Sequence, residues 1–179
     1  MRKLKTTELN RLSTDAFKAA EKFPVIVVLE DIRSAMNIGS VFRTSDAFRI
    51  EGIYLTGISA TPPQRDIQKS ALGATDTVNW RYFEKTEDCY QELSNMSYEL
   101  IAVEQSDNSV LLQDFMPDKT KKYAFVLGNE VEGVSDYMLE HCSSCLEIPQ
   151  FGMKHSLNVS VAAGIVLWDM VSKLSVERE

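Results

Sequence analysis

Apolar residues along this chain recur in two rhythms, and their alternation predicts a fold. Short, continuously apolar runs are what strands buried on both faces of a parallel sheet require. Val25–Leu29 is such a run, and further strands are read at Ile50–Thr56, Glu99–Val103, Tyr123–Leu127, Cys145–Ile148 and Val78–Phe83. Between them lie segments of helical periodicity: Asn37–Phe48, a short one near Gln68–Ala71, Thr86–Asn95, and a closing helix from about Leu157 to Lys173. Ahead of them, residues 7–22 read as an amphipathic helix with Leu9, Leu12, Ala16, Phe17 and Ala20 on one stripe, and Pro24 opens the first strand. Strands alternating with helices predict an α/β domain, a mostly parallel sheet flanked by helices. No repeat, low-complexity tract or linker divides the chain, so residues 1–179 read as one domain with 1–22 as an N-terminal helical extension. Ligands of such sheets bind at the carboxyl ends of strands. The loops after Leu29, Val103, Leu127 and Ile148 are therefore where chemistry is expected.

The closing helix carries a second message. From Val159 to Val171 it has almost no polar face before Asp169. A helix apolar nearly all round must be covered on more than one side, so the expectation is a homodimer with this helix at the interface.

Charge alters this picture. The chain is acidic, −7 overall, which argues against a nucleic-acid partner because phosphate binding draws on basic surface. Residues 1–22 nevertheless hold six basic and three acidic side chains, a segment of +3 on a body of −10. A solvated helix face accounts for this, and so does a basic arm that touches RNA phosphates. Three cysteines, an odd number, argue for a reducing compartment. The Cys142–Cys145 pair lacks the two further ligands zinc would need and does not open a helix as redox pairs do. No apolar run approaches the roughly 18–20 residues of a membrane span, and Met1 to Asn10 is polar and basic, unlike a signal peptide. The expectation is a cytoplasmic protein without a metal.

Three segments stand out chemically. The first is Asn37-Ile38-Gly39-Ser40-Val41-Phe42-Arg43, where Asn37 can cap a helix and Arg43 could equally be a surface cation. The second is Leu127-Gly128-Asn129-Glu130-Val131-Glu132-Gly133, glycines at a strand end that let backbone approach a ligand. It is neither GxGxxG nor GxxxxGK[ST], so neither a dinucleotide nor a nucleoside triphosphate is indicated. The third runs from Ile148-Pro149 to Ser156-Leu157-Asn158-Val159-Ser160, with two polar residues at the head of an apolar helix where capping explains only one of them. His155, just before Ser156, reads as solvent-facing.

Taken in this order, the segments resemble the N-x-G-x-x-x-R, G-N-E-x-x-G and I-P-x…S-L-N-V-S motifs of the SpoU/TrmH family of RNA 2′-O-ribose methyltransferases. The likeness runs from about Val25 to Leu174, with Val131 as a local departure where many members carry glycine or a polar residue. The resemblance implies an α/β fold with a C-terminal trefoil knot, a dimer with each active site at its interface, and S-adenosylmethionine as cofactor. The adenine would be held through backbone at Gly128, Ile148 and Leu157, with Val103, Glu104, Leu127, Asn129, Gly133, Pro149 and Ser156 completing the cofactor pocket. The resemblance also implies catalytic roles for Arg43, Asn37, Ser156, Asn158 and Glu130. A guanidinium stays charged in proteins, so a group that fixes the target nucleotide and stabilises the developing alkoxide is a better role for Arg43 than a base. Asn37 would orient it, Ser156 and Asn158 would shape the site, and Glu130 would brace the loops or lie near RNA. The substrate expected is RNA, tRNA ahead of rRNA because of the basic residues 1–22. Three other readings stand beside it: a knotted methyltransferase acting on another position, a non-catalytic knotted RNA-binding factor, and a Rossmann-like oxidoreductase that the missing GxGxxG turn disfavours.

Overall fold

A computed structural model describes residues 1–5, 8, 12–153 and 156–175. Its strands are β1 (Phe23–Glu30), β2 (Ile50–Thr56), β3 (Asn79–Phe83), β4 (Tyr98–Val103), β5 (Val110–Leu111), β6 (Lys122–Leu127) and β7 (Ser144–Glu147). They form one seven-stranded sheet in the order β3-β2-β1-β6-β4-β7-β5, and every pairing is parallel. The helices are α1 (Thr14–Ala19), α2 (Ala35–Ala47), α3 (Arg65–Ala71), α4 (Thr86–Asn95), α5 (Asp136–His141) and α6 (Val159–Ser175). None of the described helices is long and apolar enough to cross a membrane.

Side chains of a strand alternate between faces, and β1 feeds two cores. Val25, Val27 and Leu29 pack with Ile38, Val41 and Phe42 of α2, Ile67 of α3, and Val166, Leu167 and Met170 of α6. Ile26 and Val28 pack with Cys89 and Leu93 of α4 and Met138 of α5 on the opposite face. The unbroken apolar run of β1 is thus the signature of a strand with helices on both sides. The edge strand β3 is half-buried or exposed throughout, and β5 is exposed.

Several boundaries differ from expectation, each for a local reason. The helix read over 7–22 is α-helical, among its described residues, only at Thr14–Ala19. Ser13 is extended and its hydroxyl accepts from the Ala16 N–H, which sets the start; Ala20 is extended too, leading into β1, where Pro24 disfavours helix in the residue before it. Leu9 and Arg11 lie outside the described residues. Helix α2 begins two residues before Asn37, because Ser34 is its cap, accepting from the Asn37 N–H at 3.3 Å. β7 ends at Glu147, so Ile148 lies just beyond it, and α6 begins at Val159. β5 is too short to show a period, and α5, six residues long, is not among the helices the sequence pattern marks.

The apolar α6 divides into two stripes. Val159, Ala163, Val166, Leu167, Met170 and Leu174 are buried, whereas Val161, Ile165 and Trp168 are exposed at i, i+4 and i+7. The Trp168 ring, 63% exposed, reaches Phe48 at the end of α2, with centroids 6.0 Å apart.

Candidate active site

The second motif is a turn whose residue types follow from its geometry. A Cβ on Gly128 would lie 2.0 Å from the carbonyl carbon and oxygen of Gly133, so only glycine lets the end of β6 meet the returning chain. The contact is closed by two hydrogen bonds, Asn129 N–H to Gly133 O at 3.1 Å and Gly133 N–H to Asn129 O at 2.9 Å. The Asn129 side chain accepts from the N–H groups of Val131 and Glu132, an Asx turn that replaces ladder partners. Gly133 is left-handed at φ 74°, and a Cβ there would strike the Glu104 carboxylate. Glu104 accepts from the backbone N–H groups of Gln105 and Val134, tying the end of β4 to this turn. Glu30, buried at the end of β1, accepts from the N–H and hydroxyl of Ser135, which in turn caps α5. Sequence reasoning missed this role of Glu30; the available signal was a carboxylate ending an otherwise apolar buried strand.

Above the turn lies a cavity of about 540 Å³. It sits at the carboxyl ends of the neighbouring strands β6, β4 and β7, where parallel sheets place ligands. Nine of the ten residues expected to hold a cofactor line it: Val103, Glu104, Leu127, Gly128, Asn129, Gly133, Ile148, Ser156 and Leu157. Pro149 does not. Leu146, Ile148, Leu157, Val159 and Ala162 give it apolar walls, and Glu104, Glu130 and Glu132 give it negative charge. None of the loop and cap hydrogen bonds between described residues uses the backbone of Gly128, Ile148 or Leu157.

One hydrogen-bonded chain joins all three motifs. The Asn158 amide donates to the Asn37 side-chain oxygen at 3.1 Å, and the Asn37 amide donates to Glu130 Oε1 at 3.1 Å. Because Ser34 caps α2, the Asn37 side chain is free to do this. Asn158 is the cap of α6: its side-chain oxygen accepts from the Ser160 N–H at 2.9 Å and its carbonyl from Ala162. Capping therefore accounts for Asn158 and not for Ser156, which is exposed at the cavity rim. Lys154 and His155 lie outside the described residues.

Arg43 stands apart. It is exposed, makes no hydrogen bond or ion pair among the described residues, and does not line the cavity. It lines a second groove of about 800 Å³ between α1, the end of α2 and residues 71–77. Asn37 bonds Glu130 and Asn158 rather than Arg43.

Cys142, just ahead of β7, and Cys145, within it, are half-buried free thiols. Burial pushes the Cys142 thiol up to about 12, with the neighbouring Cys145 and Glu30 adding to it. This is the reverse of a redox-active pair, whose thiolate must be stabilised. Among the described residues no group of three or more His, Cys, Asp or Glu is placed to hold a metal ion.

Parallel strands with a cavity at their carboxyl ends, walled by the second and third motifs and tied to the first through Asn37, define an α/β protein built to bind a small molecule beside an open surface. The sequence model of the SpoU rRNA Methylase family matches residues 24–168, and the chain belongs to that family. The 23S rRNA (guanosine-2′-O-)-methyltransferase RlmB of Neisseria meningitidis serogroup B is 30% identical over 153 residues, covering 86% of this chain and 60% of that protein. The tRNA (guanosine(18)-2′-O)-methyltransferase of Aquifex aeolicus is 31% identical over 148 residues, 81% of this chain and 67% of that one. This chain thus spans about three fifths to two thirds of the length of these curated relatives. The crystal structure of the A. aeolicus TrmH/SpoU tRNA modifying enzyme superimposes with a TM-score of 0.77 at 26% identity, over 89% of this chain and 79% of that one. An AdoMet-bound rRNA methyltransferase from Sinorhizobium meliloti shares the fold, with a TM-score of 0.79 at 24% identity over 88% and 60% of the two chains.

Proposed function

We infer that this protein transfers a methyl group from S-adenosylmethionine to a ribose 2′-hydroxyl of RNA. The observation that carries the reading is the convergence of three motifs, distant in sequence, on one cavity through the Asn158–Asn37–Glu130 chain. The cavity suits the methyl donor. Its volume lies within the roughly 300–1,000 Å³ of small-molecule sites. Its apolar walls suit an adenine ring, the backbone of Gly128, Ile148 and Leu157 is available to hold that ring's edge, and three carboxylates favour a cationic ligand. When bound, the donor supplies an activated methyl group on a sulfonium leaving group. What remains for the protein is to hold two reactants in line and to handle one proton. The Asn37–Glu130 and Asn158–Asn37 bonds fix the loops that bear these side chains, so the cavity is formed before the donor arrives.

The reading extends to a knotted dimer. The trefoil knot is proposed for the β6–α6 region on the likeness of its second and third motifs to the family's. The dimer rests on the exposed stripe Val161, Ile165 and Trp168. Helix α6 begins at the cavity, and its Trp168 touches Phe48 at the end of α2, roughly 14 Å further along the α6 axis. A two-fold pairing of antiparallel α6 stripes would set the cavity of one protomer against the α2 end of the other. Arg43, remote from the cavity of its own chain, would then serve its partner's, fixing the target nucleotide and stabilising the alkoxide. Ser156 at the rim would help shape the ribose site. We place the enzyme in the cytoplasm, where three free thiols persist and RNA is at hand, and we place tRNA ahead of rRNA on the basic charge of residues 1–22.

The test is transfer of labelled methyl from S-adenosylmethionine to unmodified tRNA and rRNA transcripts, wild type against Arg43→Ala. Label that resists alkaline cleavage and disappears in the variant supports a ribose methyltransferase and names its RNA class. Donor binding without transfer to either RNA points to another substrate. No donor binding and no transfer identifies a non-catalytic RNA-binding relative.

A further inference from the structure

The groove that holds Arg43 contains more than Arg43. Arg49 lines it as well, and like that of Arg43 its side chain makes no hydrogen bond or ion pair among the described residues. Two carboxylates share the groove without neutralising either guanidinium. Asp46 accepts from the Thr77 hydroxyl, and Asp76 forms no ion pair. Lys22 is a third cation near this end of α2, but its ammonium is engaged, donating to the carbonyls of Phe17 and Ala20. The two guanidiniums, left apart from the carboxylates beside them, are available to an outside anion. Two glutamates, by contrast, wall the cavity beside its Gly133 turn, namely Glu104 and Glu132.

Backbone conformation gives an independent sign. Among described residues other than glycine, four have positive φ: Asp31, Arg49, Leu72 and Ser97. Asp31 is explained by its carboxylate, which accepts from the Ile58 N–H. Arg49 at φ 48° and Leu72 at φ 50° both line this groove, at the ends of α2 and α3. Helix ends of this kind favour glycine, because a side chain in the left-handed region is strained. Here one position holds an unpaired guanidinium and the other a leucine that is 67% exposed. Neither side chain does anything within the protomer that offsets the strain. Strain held at a surface groove is a pointer to function.

We propose that this groove is a second RNA-binding site, seating a nucleotide that flanks the methylated one, with Arg49 on its phosphate and Leu72 against its ribose and base. The inference rests on the RNA methyltransferase reading above. A guanidinium suits a phosphate because its forked donors match two oxygens. The end of α2 carries negative dipole charge, so the contact must come from side chains and not from backbone N–H groups. Arg43 and Arg49 are six residues apart, roughly 9 Å along the α2 direction, and long side chains can span that onto neighbouring phosphates of one strand.

Glycine variants separate this role from a structural one, since glycine relieves the strain. Arg49→Gly and Leu72→Gly are expected to melt at or above the wild-type temperature. Arg49→Gly should bind the tRNA or rRNA transcript that the wild type methylates about tenfold more weakly at low salt. Its log–log salt slope should be smaller by about 1. Arg49→Lys should recover the slope but only part of the affinity. Leu72→Gly should weaken binding with the slope unchanged. Affinity for S-adenosylmethionine should be unaltered in all three. Wild-type RNA affinity and salt slope in Arg49→Gly would overturn the groove and leave the methyltransferase reading standing. A fall in melting temperature with unchanged slope would show that the side chain is structural and overturn it likewise. Wild-type protein that binds the methyl donor but neither RNA would overturn both readings together.

Discussion

Replacing Gly128 with alanine tests whether the turn at the end of β6 builds the donor cavity. The new Cβ would lie 2.0 Å from Gly133 C and O and 2.2 Å from Val134 N, where ordinary contact begins at 3.4 Å. The obstruction is backbone, which no side-chain rotation relieves, so strand end and turn must separate by more than an ångström. That breaks the paired bonds between Asn129 and Gly133 and strains the bond from Val134 N–H to Glu104. At about 0.5–1.5 kcal/mol for each bond, with added strain, the loss is roughly 2–4 kcal/mol. For a chain of this size that lowers the melting temperature by roughly 5–15 °C. Calorimetric titration with S-adenosylmethionine should show at least a tenfold loss of affinity, because Gly128 itself lines the cavity. Gly73→Ala is the companion measurement. Its φ of 90° strains alanine, but nothing lies within 4 Å of the new Cβ and the position is remote from the cavity. It should cost about 1–3 kcal/mol of stability and leave donor affinity alone. Wild-type donor affinity in Gly128→Ala, or equal loss in both variants, would refute the reasoning.

Three other changes have definite expectations. Arg43→Ala should abolish turnover while donor affinity stays within a few fold; if Arg43 acts across a dimer, mixing it with Asn158→Ala should restore about a quarter of wild-type activity through mixed dimers, and no recovery would place both residues in one protomer's site. Ile165→Glu puts a carboxylate in the exposed α6 stripe, where each apolar side chain fully covered contributes about 1.5–3 kcal/mol; light scattering should then give a 20.2 kDa monomer, and a wild type already monomeric at micromolar concentration would remove the dimer. Burial holds the thiols of Cys89 and Cys142 near about 12 in the folded chain, against about 8.5 when unfolded; the folded state binds the protons more tightly, so stability present below about pH 8.5 should decline as pH rises toward 12, and a Cys89→Ala/Cys142→Ala double variant should show a flatter decline in denaturant titrations.

The central strand was legible because a parallel sheet with helices on both faces writes itself as an unbroken apolar run, Val25–Leu29, and β2 and α4 match their expected limits. What escaped were features set by partners distant in the chain. Asn37 looked like a helix cap because its type and place suit one, but Ser34 lies earlier and takes that role. No local pattern could show that Asn37 instead bonds Asn158 and Glu130, 121 and 93 residues away. Glu30 is the same case, a carboxylate whose partner, Ser135, lies 105 residues on.

Arg43 shows where one chain stops being informative. Its motif places it six residues after Asn37, and Asn37 stands at the cavity, yet 600° of helical rotation turns Arg43 to another face of α2. A motif spacing that does not bring its members together on one helix face is evidence about assembly. Either the two residues serve different sites, or a second copy supplies the missing half. The exposed α6 stripe, running from the cavity to the ring contact at Phe48, makes the second the better account. The same geometry would let an acidic body handle RNA. Its carboxylates wall the cavity that would receive the cationic donor, and its unpaired arginines lie in the groove beyond it.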